Sequence, residues 1–214
     1  QGGNTAAGRD RMHRLEGADV QALGLTNPLV LKSDGTKFGK AAGGAVWLDP
    51  KKTSPYEFYQ FGYNQDDADV EKFLKFVTFL SKDEIAELVQ ATKDHPEKRA
   101  AQRRLAEEVT EFVHGKAAVQ EAENISRALF SGDVASLTAD EIEQGFERMP
   151  SATAPATSAN LVEFLVDVTQ IEKSRRQARE DINNGAIYVN GDRVQDVDFT
   201  VNPSAHFDGR FVII

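Results

Sequence analysis

Two lysines that flank a glycine are the first residues of this sequence whose types and spacing suggest chemistry. Lys37 and Lys40 enclose Phe38 and Gly39, in a loop that also contains the pair Gly43-Gly44. Flexible cations on a glycine-rich loop can follow the negative charge that develops when a pyrophosphate leaves. The pattern therefore predicts a polyphosphate site, and a solvated surface loop is the competing interpretation of so short a motif.

Two clusters of basic residues suggest contact with nucleic-acid phosphates. The clusters are Lys173, Arg175, Arg176 and Arg179 near the C-terminus, and Lys93, Lys98, Arg99, Arg103 and Arg104 in the middle of the chain. Arg175 and Arg179 are four residues apart, so they share a face of a predicted helix. Neighbouring acidic residues leave a second interpretation open for each cluster, a solvated helix with salt bridges. Those residues are Glu180 and Asp181 for the first cluster, and Glu107, Glu108 and Glu111 for the second.

The composition limits the kinds of protein and of binding site that the chain can contain. The chain has 214 residues, of which 40% are hydrophobic and 28% charged, as is typical of a globular protein and not of a membrane-spanning or disordered one. A net charge of -9 excludes a uniformly basic surface, so any RNA contact must be local. The absence of cysteine excludes thiol nucleophiles and fits a reducing compartment, and no targeting signal is recognisable. The histidines are isolated, so we expect no metal site.

Hydrophobic spacing predicts the elements that position these residues. We expect a short helix over residues 8–15, a strand over residues 29–31 and a bundle of amphipathic helices over residues 54–129. Several phenylalanines follow the helical spacing and are expected in the core. These are Phe58, Phe61, Phe73, Phe76 and Phe79.

Helix ends are also readable in the sequence. Ser81 with Glu84, and Thr138 with Glu141, have the spacing of capping boxes. Gly115 is a candidate C-cap. The motifs therefore predict separate helices that begin after Ser81 and after Thr138.

The last third of the chain predicts a small module of helices and strands. Residues 149–159 have the small, proline-containing composition of a linker. After it, Asn160 and Ser174 each cap a predicted helix. A strand over residues 186–189, a tight turn at 190–191 and a strand over 193–197 follow, and a terminal strand is predicted over 211–214.

Many short motifs in one order resemble bacterial tyrosyl-tRNA synthetase, a class I aminoacyl-tRNA synthetase. The similar segments are 24–26, 28–30, 34–40, 47–49, 53–61, 79–81, 97–102, 105–110, 129–132, 142–146, 176–182 and 184–191, together with Gln1, Gly3, Asn4 and Gly8. The resemblance covers nearly the whole chain. It implies a mixed α and β fold of three parts: residues 1–54 as the C-terminal edge of a Rossmann-like catalytic domain, residues 55–148 as a helical anticodon-arm-binding domain, and residues 160–214, after the linker, as a small α+β RNA-binding domain of the alpha-L type.

The resemblance also implies roles for residues. Lys37, Phe38, Gly39 and Lys40 match the signature loop that holds ATP phosphates, with Lys37 and Lys40 as catalytic cations and Gln1 at the edge of the substrate pocket. The RNA-binding residues implied are Arg99, Arg103, Arg104, Lys173, Arg175, Arg176 and Arg179. The activity implied is activation of tyrosine with ATP, accompanied by Mg²⁺, to tyrosyl-adenylate, and transfer to tRNA(Tyr) in the cytoplasm.

Departures from the family pattern lead to a second hypothesis. Ala41 stands where the family's loop ends in a hydroxyl residue, and Gly2 and Gly62 stand where the family has tryptophan. If Gly2 and Gly62 are buried, we expect a cavity beside each of them. The family's His-Ile-Gly-His-like motif would precede Gln1. The alternative is therefore a catalytically inactive tRNA-binding fragment or an engineered chain. Under either hypothesis we expect the chain alone to bind no cofactor and to be a monomer, although the family is dimeric.

Overall fold

The structure, a computed structural model, describes residues 2–25, 30–31, 33, 35, 40–41 and 44–214. Its chain forms two compact units, Gln1–Ala45 and Val46–Ile214. It is a mixed fold, mainly helical with small two-stranded sheets.

The described residues of the first unit include a long helix and a small hairpin. Helix α1 spans Gly2–Glu16, so the helix predicted over residues 8–15 is confirmed and is longer than expected. Strands β1, Lys40–Ala41, and β2, Gly44–Ala45, pair antiparallel. Of the strand predicted over residues 29–31, Leu29 lies outside the described residues and Leu31 forms a single bridge.

The second unit begins with a helical region, residues 55–148. Its helices are α2 (Pro55–Tyr63), α3 (Asp67–Val77), α4 (Lys82–Asp94), α5 (Ala100–His114), α6 (Lys116–Ser131) and α7 (Ala139–Phe146), with 3-10 turns at Pro96–Lys98 and Val134–Ser136. Both capping boxes form, because Ser81 and Thr138 each accept the backbone N–H of the glutamate three residues later. Gly115 ends α5 with a φ of 88°. The predicted helix boundaries at Ser81, Thr138 and Gly115 are therefore confirmed.

Helices α2, α5 and α6 pack around a buried cluster that contains Tyr59, Ala106, Val119 and Ala122. Gly62 is buried, but the cavity expected beside it is absent. A Cβ atom on Gly62 would lie 3.0 Å from the Cα of Ala106. The prediction of a cavity was wrong because α2 and α5 approach each other closely enough to fill that space.

The expectation that five phenylalanines lie in the core was right for Phe73, which is fully buried, and wrong for two others. Phe76 is 57% exposed and Phe79 is 86% exposed. Helix α3 ends at Val77, so the helical spacing does not continue to Phe79. Phe79 instead lies against exposed Phe112, with ring centroids 5.5 Å apart.

The remaining segment, residues 160–214, is called the tail. Strand β3 (Ala159–Asn160) pairs with β6 (Thr200–Val201), and α8 (Leu161–Glu163) continues as a π-helical turn, Phe164–Val168. Helix α9 spans Arg175–Asn183, strands β4 (Tyr188–Val189) and β5 (Asp192–Arg193) form a hairpin, and a 3-10 turn follows at Phe207–Gly209. The buried core of the tail includes Leu161, Phe164, Leu165, Ala178 and Ile182 from its helices, together with residues of its strands and turns.

The structure of the tail confirms the predicted helix caps, whereas its strands β4 and β5 are shorter than the predicted strands. Asn160 accepts the N–H of Val162 at 3.0 Å, and Ser174 accepts that of Gln177 at 3.2 Å. The terminal strand predicted over residues 211–214 was wrong, since these residues, all of them described, form no strand. They instead lie beside the turn at Asn190, whose N–H donates to the carbonyl of Ile213 at 2.8 Å.

Candidate nucleic-acid interface

Helix α9 presents the basic cluster of the tail. Ala178 and Ile182 are buried in the tail core, whereas the side chains of the cluster are exposed. Those side chains are Lys173, Arg175, Arg176 and Arg179. The amphipathic helix therefore presents Arg175, Arg176 and Arg179 to solvent while its apolar face is buried in the tail core, and Lys173 lies just before its N-cap, Ser174.

The cations of this cluster differ in how they are held. Arg175 donates from its guanidinium to Asp167 at 2.8 Å, and this bond raises the pKa of Arg175. The sequence suggested Glu180 and Asp181 as salt-bridge partners, but Asp167, in the π-helical turn, takes that role. Within the described part of the chain, Arg176 and Arg179 have no ion pair. These two guanidiniums are therefore available to an external anion.

The cluster lies at the N-terminal end of α9. Arg175 and Arg176 occupy the first turn, where the described structure has no acidic residue. The helix macrodipole is positive at this end, so cations here are unfavourable for the isolated helix by about 0.3–1 kcal/mol. An anion placed at the same end would be attracted both by the helix terminus and by the guanidiniums.

A pair of carboxyl groups borders the same surface. Glu172 has a raised pKa, first because of partial burial and then because of the charge of Asp181. The side-chain amide of Gln177 donates to Asp181 at 3.0 Å. Asp181 is therefore engaged by Glu172 and Gln177, and it forms no ion pair with the arginines of the cluster within the described chain.

The C-terminal end of α9 is closed by another arginine, which the sequence analysis did not single out. Arg193 donates to the carbonyls of Gly185 at 2.7 Å and Asn184 at 3.1 Å. Cations are favourable at this negative end of a helix. Arg193 therefore holds the β4–β5 hairpin against α9 and leaves the opposite end of the helix as the basic surface.

The second predicted cluster is divided between structural and exposed side chains. Arg99 precedes α5 in a left-handed conformation, with a φ of 48°. Its guanidinium donates to the carbonyls of Tyr63 at 2.7 Å and Gln65 at 3.0 Å. Arg99 thus holds the end of α2, in addition to the RNA contact that the resemblance implies for it.

Of the other cations of this cluster, Lys93 lies in the last turn of α4, and the rest lie on α5 or just before it. Lys98 and Arg103 are exposed, and Arg104 pairs with Glu108 at 2.8 Å. This ion pair is the one that the salt-bridged interpretation anticipated. The structure therefore divides this cluster, because Arg99 bonds to the end of α2 and Arg104 is paired with Glu108.

Most of the predicted ATP-binding residues are not among those that the structure describes. Gln1, Lys37, Phe38 and Gly39 lie outside the described residues. Lys40 begins strand β1, where its backbone pairs with Ala45. The predictions for these residues therefore stay predictions.

The described histidines and acidic residues include no group of three or more that could hold a metal ion. His114 lies edge-on to Phe58, with ring centroids 5.0 Å apart, and burial lowers its pKa. His95 lies 3.3 Å from Glu97. The two histidines therefore contact different neighbours, Phe58 for His114 and Glu97 for His95.

No described helix is both long and apolar enough to cross a membrane.

Comparisons with known proteins give the family. The family model of tRNA synthetases class I (W and Y) matches residues 1–131, and that of the tyrosine–tRNA ligase SYY-like C-terminal domain matches residues 141–214. Tyrosine–tRNA ligases of Ligilactobacillus salivarius and Lactiplantibacillus plantarum are 65% and 66% identical to the chain over 214 residues, which is 100% of the chain and 51% of each relative. The chain thus spans about half the length of these relatives.

A solved structure is also similar in sequence over part of the chain. The C-terminally truncated mitochondrial tyrosyl-tRNA synthetase of Coccidioides posadasii is 39% identical, covers 47% of this chain and 26% of that one, and superposes with a TM-score of 0.41. The superposition is too loose to inform the fold. By contrast, the two family models match most of the chain and the curated relatives match all of it. The chain therefore belongs to the tyrosine–tRNA ligase family of class I aminoacyl-tRNA synthetases.

Proposed function

We propose that the chain is the tRNA-binding half of a tyrosine–tRNA ligase. The observation that carries this proposal is the exposed basic end of α9, where Arg176 and Arg179 have no ion pair within the described chain. A helix N-terminus that carries cations and no acidic residue is suited to phosphate. In this proposal Lys173 and Arg175 extend the same surface, and Arg99, Arg103 and Arg104 contact the tRNA from the helical region.

The proposal divides the chain into three functional parts. Residues 1–54 form the edge of a Rossmann-like catalytic domain, residues 55–148 bind the anticodon arm, and residues 160–214 form an alpha-L-type RNA-binding domain after the 149–159 linker. In the whole enzyme, Lys37 and Lys40 stabilise charge on ATP phosphates, and Gln1 borders the tyrosine pocket. Mg²⁺ accompanies ATP as its counter-ion, and the enzyme acts in the cytoplasm as a homodimer.

Binding of a tRNA(Tyr) transcript at several salt concentrations tests the RNA-binding part. Each phosphate contact contributes about 0.7–0.9 to the slope of log K against log salt concentration. The R176A/R179A variant is therefore expected to reduce this slope by about 1.5 and to weaken binding. The R11A/R14A variant, which removes two exposed cations from α1 outside the proposed RNA-binding parts, is the charge-matched control. Equal losses in both variants would contradict a local RNA-binding surface.

Tyrosine-dependent exchange between ATP and pyrophosphate tests the catalytic part. We expect no exchange from this chain alone, together with retained tRNA binding, because the chain spans about half the length of the relatives that it matches. Exchange at the rate of a complete ligase would contradict the inactive-fragment hypothesis. Absence of both exchange and tRNA binding would contradict the proposed function itself.

A further inference from the structure

The last segment of the tail, residues 207–214, packs against both the helical region and the tail core. Phe207, Phe211 and Ile213 pack against the cluster of the helical region built on Ile125, Ala128, Leu137 and Ile142. Val212 and Ile214 pack against the tail core. From Phe211 to Ile214, successive residues alternate between the two cores, so one short segment contacts both.

The turn between β4 and β5 holds this segment in register. Asn190 donates its N–H to the carbonyl of Ile213 at 2.8 Å, and its side-chain oxygen accepts the N–H of Ile213 at 2.9 Å. Asn190 is buried, with a φ of 53°. Next to it, a Cβ on Gly191 would lie 3.3 Å from the carbonyl oxygen of Gly132, at the end of α6. The turn therefore contacts the helical region as well.

Arg210 supplies the directional contact between the two parts. Its guanidinium donates to Asp140 at 2.6 Å and also bonds to Glu143, three residues further along α7. The same guanidinium lies 5.1 Å from the centre of the Phe211 ring. Apolar packing is non-directional, whereas a planar guanidinium that bonds to two carboxylates restricts orientation.

We propose that Arg210 is a positioning residue that sets the orientation of the tail on the helical region. Asp140 and Glu143 lie on α7 of the helical region, and Arg210 lies in the segment that the tail core holds. The ion pairs therefore fix the orientation of the tail, which carries the basic end of α9, relative to the helical region. The consequence for RNA rests on the proposed function, and the orientation itself does not.

Energy transfer between two dyes measures the orientation directly. Because the chain has no cysteine, the exposed residues Gln120 on α6 and Asp198 in the tail can be replaced by cysteine and labelled. The test variant is R210E, and R127E makes the same charge change elsewhere on the surface. The variant R210E/E143R reverses the ion pair. Circular dichroism checks that each variant is folded.

We expect R210E to broaden and shift the distribution of transfer efficiencies, R127E to leave it unchanged, and R210E/E143R to restore it. An unchanged distribution in R210E, or no recovery in the reversed pair, would overturn the proposal. Binding of the tRNA(Tyr) transcript is expected to fall at least about threefold more in R210E than in R127E. If the parent chain binds no tRNA, the proposed function fails, while the dye measurement still decides the role of Arg210.

Discussion

A Cβ atom on Gly62 would lie 3.0 Å from the Cα of Ala106, so α2 and α5 meet backbone to backbone at this point. Ala106 is fully buried, and the atom in the way belongs to the backbone of α5. Relief of such a contact requires one helix to move against the other. Gly62 is therefore a packing requirement of the helical region.

We expect Gly62→Ala to destabilise the chain by up to about 2 kcal/mol in urea unfolding, because overpacking of about 1–3 kcal/mol outweighs the better helix propensity of alanine. Gly8→Ala is the control, since no atom lies within 4 Å of a Cβ at that position of α1. A Gly62→Ala variant that is as stable as the parent would contradict the close approach.

Phe73 and Phe79 give a second prediction, because they differ so strongly in exposure. Phe73 is 0% exposed and Phe79 is 86% exposed. We expect Phe73→Ala to reduce the free energy of unfolding by about 3–5 kcal/mol and Phe79→Ala by less than about 1 kcal/mol. Thermal and urea unfolding of both variants check this difference, and equal losses would mean that Phe79 is buried in solution.

Arg99 gives a third prediction, since its guanidinium bonds to two carbonyls at the end of α2. Arg99→Ala is expected to destabilise the chain by about 1–3 kcal/mol, because it leaves the carbonyls of Tyr63 and Gln65 without their charged donor. Lys98→Ala removes an adjacent exposed cation and is expected to leave unfolding unchanged. If Arg99→Ala weakens tRNA binding without any loss of stability, its main role is RNA contact.

Local features of the sequence predicted local features of the fold. Ser81 and Ser174 cap helices because a side-chain hydroxyl accepts a backbone N–H within three residues, and that interaction depends on neighbouring residues alone. The basic cluster on α9 was predictable for the same reason, because Arg175 and Arg179 are one helical turn apart.

Contacts between distant parts of the chain were not predictable in this way. Arg99 reaches carbonyls 34 and 36 residues away, and Arg210 reaches carboxylates 67 and 70 residues away. Nothing in the spacing of neighbouring residues indicates such a partner. The core position predicted for Phe79 was wrong for a related reason. Hydrophobic spacing shows which residues share a helix face but not where the helix ends.

Glu107 lies near Glu123 and Tyr59, where α5 faces α2 and α6. Burial, followed by the charge of Glu123, raises the pKa of the Glu107 carboxyl, while Arg104 and Arg103 oppose the shift. Burial likewise raises the pKa of Tyr59, and the charges of Glu123 and Glu107 add to that effect. The ionised form of the Glu107 carboxyl is therefore unfavourable to the folded state.

A pH series of unfolding experiments tests that conclusion. An acid whose pKa is higher in the folded than in the unfolded chain stabilises the fold below its unfolded pKa, and this stabilisation is lost as the pH rises through the folded pKa. Glu107→Gln avoids the loss, so we expect the variant to be more stable than the parent at pH 7 and to lose that advantage near pH 4. Glu108→Gln, which breaks the ion pair with Arg104, is the control and is expected to give no gain at pH 7. A Glu107→Gln variant whose stability relative to the parent does not change with pH would contradict the raised pKa, because the charge of Glu107 would then carry no cost in the folded chain.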